Sequence, residues 1–237
     1  MTISGSEIGE NIETAAWSNE ATRRMNRMYR RQRHIYDGTR RYYLLGRDQL
    51  IAGLRPAAGA TVLEIGCGTG RNLIQAARHY RDAKFFGIDV STEMLTSAIA
   101  AVTRQDLKRQ IRVAHGDATA FDPRTIFGIS SFDHVMISYS LSMIPNWQAV
   151  LQRAASSLRN DGSLHIVDFG DQRGLPRIAR SLLRGWLAMF DVTPRDDLEG
   201  ALKRLAAAHG ARLKFERPFR GYAQTAVLTL PAKPKTP

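Results

Sequence analysis

Cysteine is almost missing from this chain. Cys67 is the single one in 237 residues, so no internal disulfide can form, and a reducing compartment fits. Long apolar runs are missing too, since no stretch approaches the roughly 18 apolar residues of a membrane-spanning helix. The opening MTISGSEIGENIETAAW has neither a basic nor an apolar region, which reads against a secretory signal. Acids are scarce beside bases: 22 Asp and Glu face 34 Lys and Arg, a net charge of +12. That excess points to a polyanionic partner surface, nucleic acid or anionic lipid, or else to a generally basic exterior. No Cys/His/Asp set, His115 and His134 included, has metal-ligand spacing, so no metal is expected. The rest is the ordinary balance of a globular protein, 43% hydrophobic and 24% charged, in a chain long enough to bury a full core.

Residues 1–20 are polar, acidic and Gly/Ser-bearing, and read as a disordered tail. Residues 21–54 read as a basic helical extension in two pieces, broken near Asp37-Gly38, with Tyr43, Leu44, Leu50, Ile51 and Leu54 at helical spacing. From 55 to 231 short apolar runs alternate with helical stretches near 70–80, 91–104 and 147–158. The runs are Thr61–Ile65, Lys84–Ile88, Ile111–Ala114, Phe132–Ser138 and Ser163–Phe169. Strands separated by helices predict an α/β domain with a parallel sheet covered on both faces. A helix over 195–209, ending at Gly210, then leads to strands Arg212–Arg217 and Tyr222–Leu230, an antiparallel hairpin added to that sheet. Residues 232–237 read as a second disordered tail.

In Val62-Leu63-Glu64-Ile65-Gly66-Cys67-Gly68-Thr69-Gly70 an apolar strand runs into a glycine turn and then a helix. Glycines admit close approach of a ligand to the backbone. The spacing is G-x-G-x-G, and Glu64 stands two residues before the first glycine. A carboxylate there suits a cationic group or an amine better than a pyrophosphate. Asp89 ends the next strand, where an acid can take both hydroxyls of a ribose. Asp117 follows the third. Cys67, between two glycines, reads as filling a small slot rather than as a nucleophile.

This constellation resembles the class I S-adenosylmethionine-dependent methyltransferases over residues 55–230. The resemblance implies a Rossmann-like sheet of order 3-2-1-4-5-7-6 and S-adenosyl-L-methionine as methyl donor. It places Gly66, Cys67 and Gly68 along the methionine moiety and Asp89 on the ribose. Met94 would cover one adenine face, with Asp117 and Ala118 at the adenine edge. Glu64, Asn72, Val90 and Ser138 belong to the same implied site.

The fourth strand leads into Ser138-Tyr139-Ser140-Leu141-Ser142-Met143-Ile144-Pro145. The Asn/Asp-Pro-Pro-aromatic motif of base-methylating enzymes is not there, which argues against nucleic acid. Tyr139 is the candidate for orienting an amine acceptor, by its hydroxyl or by cation–π contact; the alternative is that it packs beneath the cofactor. Residues 22–47 hold nine arginines, one acid (Asp37) and interleaved Tyr29, Tyr36, Tyr42 and Tyr43. Basic helices with aromatic residues suit an anionic membrane interface. Residues 176–190 have the same character, with Arg177, Arg180 and Arg184 on one helical face and Ala179, Leu182, Leu183, Trp186 and Phe190 on another. The alternative is that this second helix simply packs its apolar face on the sheet.

With 28–48, 140–145 and 167–171 taken together, the chain is similar to the bacterial betaine-lipid N-methyltransferases (BtaB type). That resemblance implies successive N-methylation of diacylglycerylhomoserine by a cytoplasmic protein peripheral at the inner face of the membrane, touching it through 23–47 and 176–190. It also implies a lid bearing Tyr36 and Tyr43, with Tyr36 close to the chemistry, and Arg47 on a carboxylate of cofactor or acceptor. Phosphatidylethanolamine and soluble small molecules are the alternative acceptors. A non-catalytic cofactor-binding or membrane-interaction module is a further alternative.

Overall fold

The computed structural model describes residues 44–232. The expected acidic tail, the arginine-rich stretch as far as Tyr43, and residues 233–237 lie outside the described residues, and so do Tyr36 and Tyr43.

The chain enters through α1 (Arg47–Leu54) and then alternates. In order come β1 (Thr61–Ile65), α2 (Arg71–His79), β2 (Lys84–Asp89), α3 (Thr92–Arg104), β3 (Ile111–His115), α4 (Pro123–Phe127) and β4 (Phe132–Ser138). A 3₁₀ turn at Leu141–Met143 precedes α5 (Trp147–Ser156), β5 (Leu158–Phe169), α6 (Arg177–Ala188), α7 (Leu198–His209), β6 (Arg212–Glu216) and β7 (Ala223–Thr229). The seven strands form one sheet of order β3-β2-β1-β4-β5-β7-β6, as expected. β1 to β5 run parallel, and β7 pairs antiparallel with both β5 and β6.

Period-two burial sorts the strand residues onto two faces. In β1, Leu63 and Ile65 join the cluster under α4, α5 and α7, while Val62 joins the one under α1, α2 and α6. In β4, Val135 and Ile137 go one way and Met136 the other. Side chains as deeply buried as Leu63 each contribute about 1.5–3 kcal/mol, and truncating Leu63 to Ala would cost about 2–5 kcal/mol.

Three local features depart from the sequence reading. α4 was not expected. It is a five-residue helix whose Asp122 caps Arg124 and Thr125 N–H groups ahead of Pro123, a start signal too short to show periodicity. β5 begins at Leu158 rather than Ser163, because its pairing with β4 jumps from Phe132↔Leu158 to His134↔Ser163. The intervening bulge needs Gly162, where a Cβ would meet Arg159 O at 2.8 Å. The helix expected over 195–209 starts only at Leu198, while Gly210 ends it with φ 60° as anticipated.

Candidate active site

The glycine turn after β1 is shaped by contacts that exclude side chains. Gly66 has φ 72°, and a Cβ on it would lie 2.7 Å from Ser140 Cβ. The Gly66 and Cys67 N–H groups both donate to Ile88 O at 2.9 Å, which ties the turn to β2. Cys67 packs against Gly87, where a Cβ would stand 2.8 Å from Sγ. Burial first, then Asp89 and Glu64, push its thiol pKa well up, so it fills a slot and is not poised as a nucleophile.

Asp89, at the end of β2, accepts Gly68 N–H at 2.8 Å on Oδ2 and Ser91 N–H at 2.9 Å on Oδ1. Each carboxylate oxygen can accept more than one bond, so holding the turn does not disqualify it as a ligand for hydroxyls. Asp117 Oδ1 accepts the N–H and hydroxyl of Thr119 at 2.8 and 2.7 Å, which bends the chain after β3.

Glu64 is 1% exposed, and its Oε1 accepts from Asn72 Nδ2 at 2.8 Å. Burial drives its pKa up to about 8; the Asn72 bond opposes that, Asp89 adds to it, and Arg47 opposes it. Glu64 Oε2, Asn72 Oδ1 and Ser138 Oγ are buried with no hydrogen-bond partner. Acceptors left orphaned in a cavity wall are what an ammonium group answers. The residues therefore fit the amino-acid end of S-adenosyl-L-methionine.

These groups open on one cavity of about 910 Å³ at the carboxyl edge of the sheet. Its wall brings together Arg47, Glu64, Gly66, Cys67, Gly68, Asn72, Asp89, Val90, Asp117, Ala118, Ser138 and Tyr139, all singled out by sequence. Met94 is the exception. Expected on an adenine face, it is not part of the wall: it is buried in the first turn of α3, its N–H capped by Ser91 Oγ at 3.3 Å. Leu95, Ala98 and Val102 are the other buried residues of that helix.

Met143, Ile144 and Pro145 complete the wall on the β4 side. Tyr139 is 2% exposed, has φ 55° and stacks edge-on against Phe169 at 4.7 Å. Its hydroxyl donates to Leu45 O at 2.5 Å, and burial raises its pKa far beyond the usual phenol range. It therefore bridges β4 to the lead-in of α1, and with its proton given to Leu45 O the hydroxyl oxygen is left as an acceptor. Arg47 Nε donates to Leu44 O at 3.2 Å from the start of α1. Sequence reasoning gave no role to Arg195, and it quoted Asp168 only within a matching stretch; neither carries a local motif.

α6 divides its apolar residues. Leu183, Trp186, Leu187 and Phe190 pack into the cluster with Leu44, Tyr139 and Phe169. Ile178, Leu182 and Met189 are 78%, 70% and 69% exposed and fall within about 40° on the helix. Leu182 thus belongs to an outward stripe, apart from Leu183, Trp186 and Phe190, with which the sequence reading grouped it on one apolar face. Arg184, partly exposed, pairs through Nη2 with Asp196 Oδ1 at 2.8 Å. The chain enters α6 from the end of β5, and beyond it Thr193 N–H returns to Ser142 O at 2.8 Å, so the segment leaving the helix is tied to the turn after β4.

Residues 62–162 match the family model described as "Methyltransferase domain". An O-methyltransferase, cnsE, of Penicillium expansum is 29% identical over 153 residues, covering 64% of this chain and 53% of that one. A demethylmenaquinone methyltransferase of Lactobacillus johnsonii is 28% identical over 123 residues, covering 52% and 49%. The solved S-adenosylmethionine-dependent methyltransferase SibL superposes with a TM-score of 0.64 at 17% identity, over 83% of this chain and 58% of that one. The chain spans about half the length of these two curated relatives. Over residues 62–162 the chain thus matches a methyltransferase domain, and its sheet has the Rossmann-like methyltransferase order. Neither of these two relatives is named for a betaine lipid.

Proposed function

We propose that the whole protein is an S-adenosyl-L-methionine-dependent N-methyltransferase of a lipid amine, with diacylglycerylhomoserine as acceptor and its N,N,N-trimethyl betaine as product. The observation that carries the lipid reading is the exposed Ile178, Leu182 and Met189 stripe on and just after α6, the helix that follows β5. Arg177 borders it, and Arg173 and Arg220 are exposed on the neighbouring loops. An apolar stripe rimmed by cations suits insertion at an anionic interface. Among the described residues no helix is long and apolar enough to cross a membrane, so the contact proposed is peripheral, through α6 and residues 23–47.

When bound, the cofactor supplies a methyl group on a sulfonium, open to in-line displacement by an amine lone pair. The chain's part is to bind, align and exclude water. Glu64 and Asn72 would hold the donor's ammonium, and Asp89 its ribose hydroxyls. Met143, Ile144 and Pro145 would form an apolar wall for the acceptor. Arg47 would meet a carboxylate, of cofactor or of acceptor.

The test is lipid mass spectrometry of a host expressing the protein, with and without the enzyme activity that makes diacylglycerylhomoserine. Trimethylhomoserine lipid formed only with that activity is the expected result. Methylated phosphatidylethanolamine formed without it moves the assignment to phospholipid. The relatives' names favour a second reading, an oxygen or demethylmenaquinone-type acceptor, and neither lipid product in a protein that binds the cofactor would support it.

A further inference from the structure

One side chain outside the cavity makes an uncommon set of bonds. Arg195, in the segment between α6 and α7, donates from Nε to Leu141 O at 3.0 Å and from Nη2 to Ile144 O at 2.9 Å and Ser142 O at 3.4 Å. These carbonyls belong to the 3₁₀ turn after β4 and its exit, where the backbone has few partners of its own. From the other side Asp168, wholly buried near the end of β5, accepts Ser142 N–H at 3.1 Å and Phe169 N–H at 2.7 Å. Gln224 Nε2, at the start of β7, holds the Arg195 carbonyl at 3.0 Å and the Phe169 carbonyl at 2.8 Å. The segment that presents Met143, Ile144 and Pro145 to the cavity is thus gripped by groups distant in sequence from it.

We infer that Arg195, backed by Asp168, is a positioning residue for methyl transfer: it sets the wall of Met143, Ile144 and Pro145 and hence where an acceptor lies relative to the donor half of the cavity. This rests on reading the cavity as a methyl-transfer site, but not on the acceptor being a lipid. In-line displacement is sensitive to such placement, and an error of about 1 Å can cost on the order of 100-fold in rate. A planar guanidinium reaches three carbonyls at once, and a lysine ammonium, a single point of charge, cannot reproduce that fork.

The experiment compares full-length wild type with Arg195→Gln and Arg195→Lys. Calorimetry with S-adenosylhomocysteine should give affinities within about twofold of wild type, because no donor-side residue is touched. Amide exchange at Met143 and Ile144, whose N–H groups bond Ser140 O and Leu141 O, should quicken by about tenfold or more in Arg195→Gln, with residues 66–72 unchanged. Turnover of diacylglycerylhomoserine in mixed vesicles should lose about tenfold or more in kcat/KM, with Arg195→Lys between the two. Unchanged exchange at 143–144, or donor affinity lost in parallel, would overturn the inference. If wild type leaves this lipid unmethylated, the acceptor reading fails, and exchange together with calorimetry decides the positioning role. If Arg195→Gln does not fold, Arg195→Lys carries the same readouts.

Discussion

The two halves of the cavity are built by different means. On the side proposed for the donor, Glu64, the turn from Gly66 to Gly70 and Asn72 come from one unbroken stretch. Asp89 and Asp117 join them from the ends of neighbouring strands, and the bonds that shape the loops are short-range or strand to adjacent strand. On the side proposed for the acceptor, Tyr139 reaches back to Leu45 and Arg195 reaches across to Leu141 and Ile144, while Asp168 pins Ser142 from the next strand. A site made of local turns keeps its shape as long as the sheet stands. A site made of long-range ties depends on each tie separately.

The comparison is broken most directly at Asp89. Asp89→Ala removes the acceptor for two backbone N–H groups together with the proposed ribose contact. Affinity for S-adenosylhomocysteine should fall about 100-fold, some 3 kcal/mol, while amide exchange at 143–144 stays as in wild type. Unchanged affinity by calorimetry would take Asp89 out of the donor site.

Next in size is a proton linkage at Glu64. Its pKa in the free protein is near 8, so at pH 7 most molecules carry the proton, and an ammonium seated against Oε2 favours its loss. Binding should release up to about one proton at pH 7. Affinity should rise by up to about tenfold per unit from pH 6 to 7.5 and flatten above pH 8. The sign for stability is the opposite: a carboxyl whose folded pKa is raised stabilises the free fold at low pH, and that contribution is lost as pH rises from about 4.5 to 8. Calorimetry in buffers of different ionisation enthalpy reads the proton, and Glu64→Gln should abolish the pH dependence.

On the acceptor side, serine at Ile178, Leu182 and Met189 together should weaken cosedimentation with anionic vesicles by about tenfold while leaving S-adenosylhomocysteine binding alone. Persistence of vesicle binding would remove α6 from the proposed membrane contact. Tyr139→Phe should have the smallest effect: about 1 kcal/mol of stability for the lost bond to Leu45 O, donor affinity intact, and kcat within about threefold. A drop beyond about tenfold at unchanged melting temperature would instead put the hydroxyl in the chemistry.

Much of the donor half was legible because its signals are local. A glycine turn after an apolar strand, and acids at the next two strand ends, need only adjacency in sequence and the rules of parallel sheets. Met94, placed on the adenine by the resemblance alone, is buried in the first turn of α3 behind the N-cap at Ser91 and does not line the cavity. The split of α6 was half visible. Its periodicity announces an amphipathic helix, yet which apolar residues meet the core depends on where Leu187 is drawn, among Leu44, Tyr139 and Phe169.

The sequence by itself determined the alternation of strands and helices, the covered sheet and the glycine turn flanked by acids, because hydrophobic period, glycine stereochemistry and charge placement act over a few residues; the strand order came with the family resemblance. Tertiary structure alone decided that Tyr139 spends its hydroxyl on Leu45, that Ile178, Leu182 and Met189 face outward, and that Arg195 grips the wall after β4. Each of these joins segments far apart in the chain. Burial and bond geometry at such a junction depend on both partners and on the path between them, which no local pattern encodes.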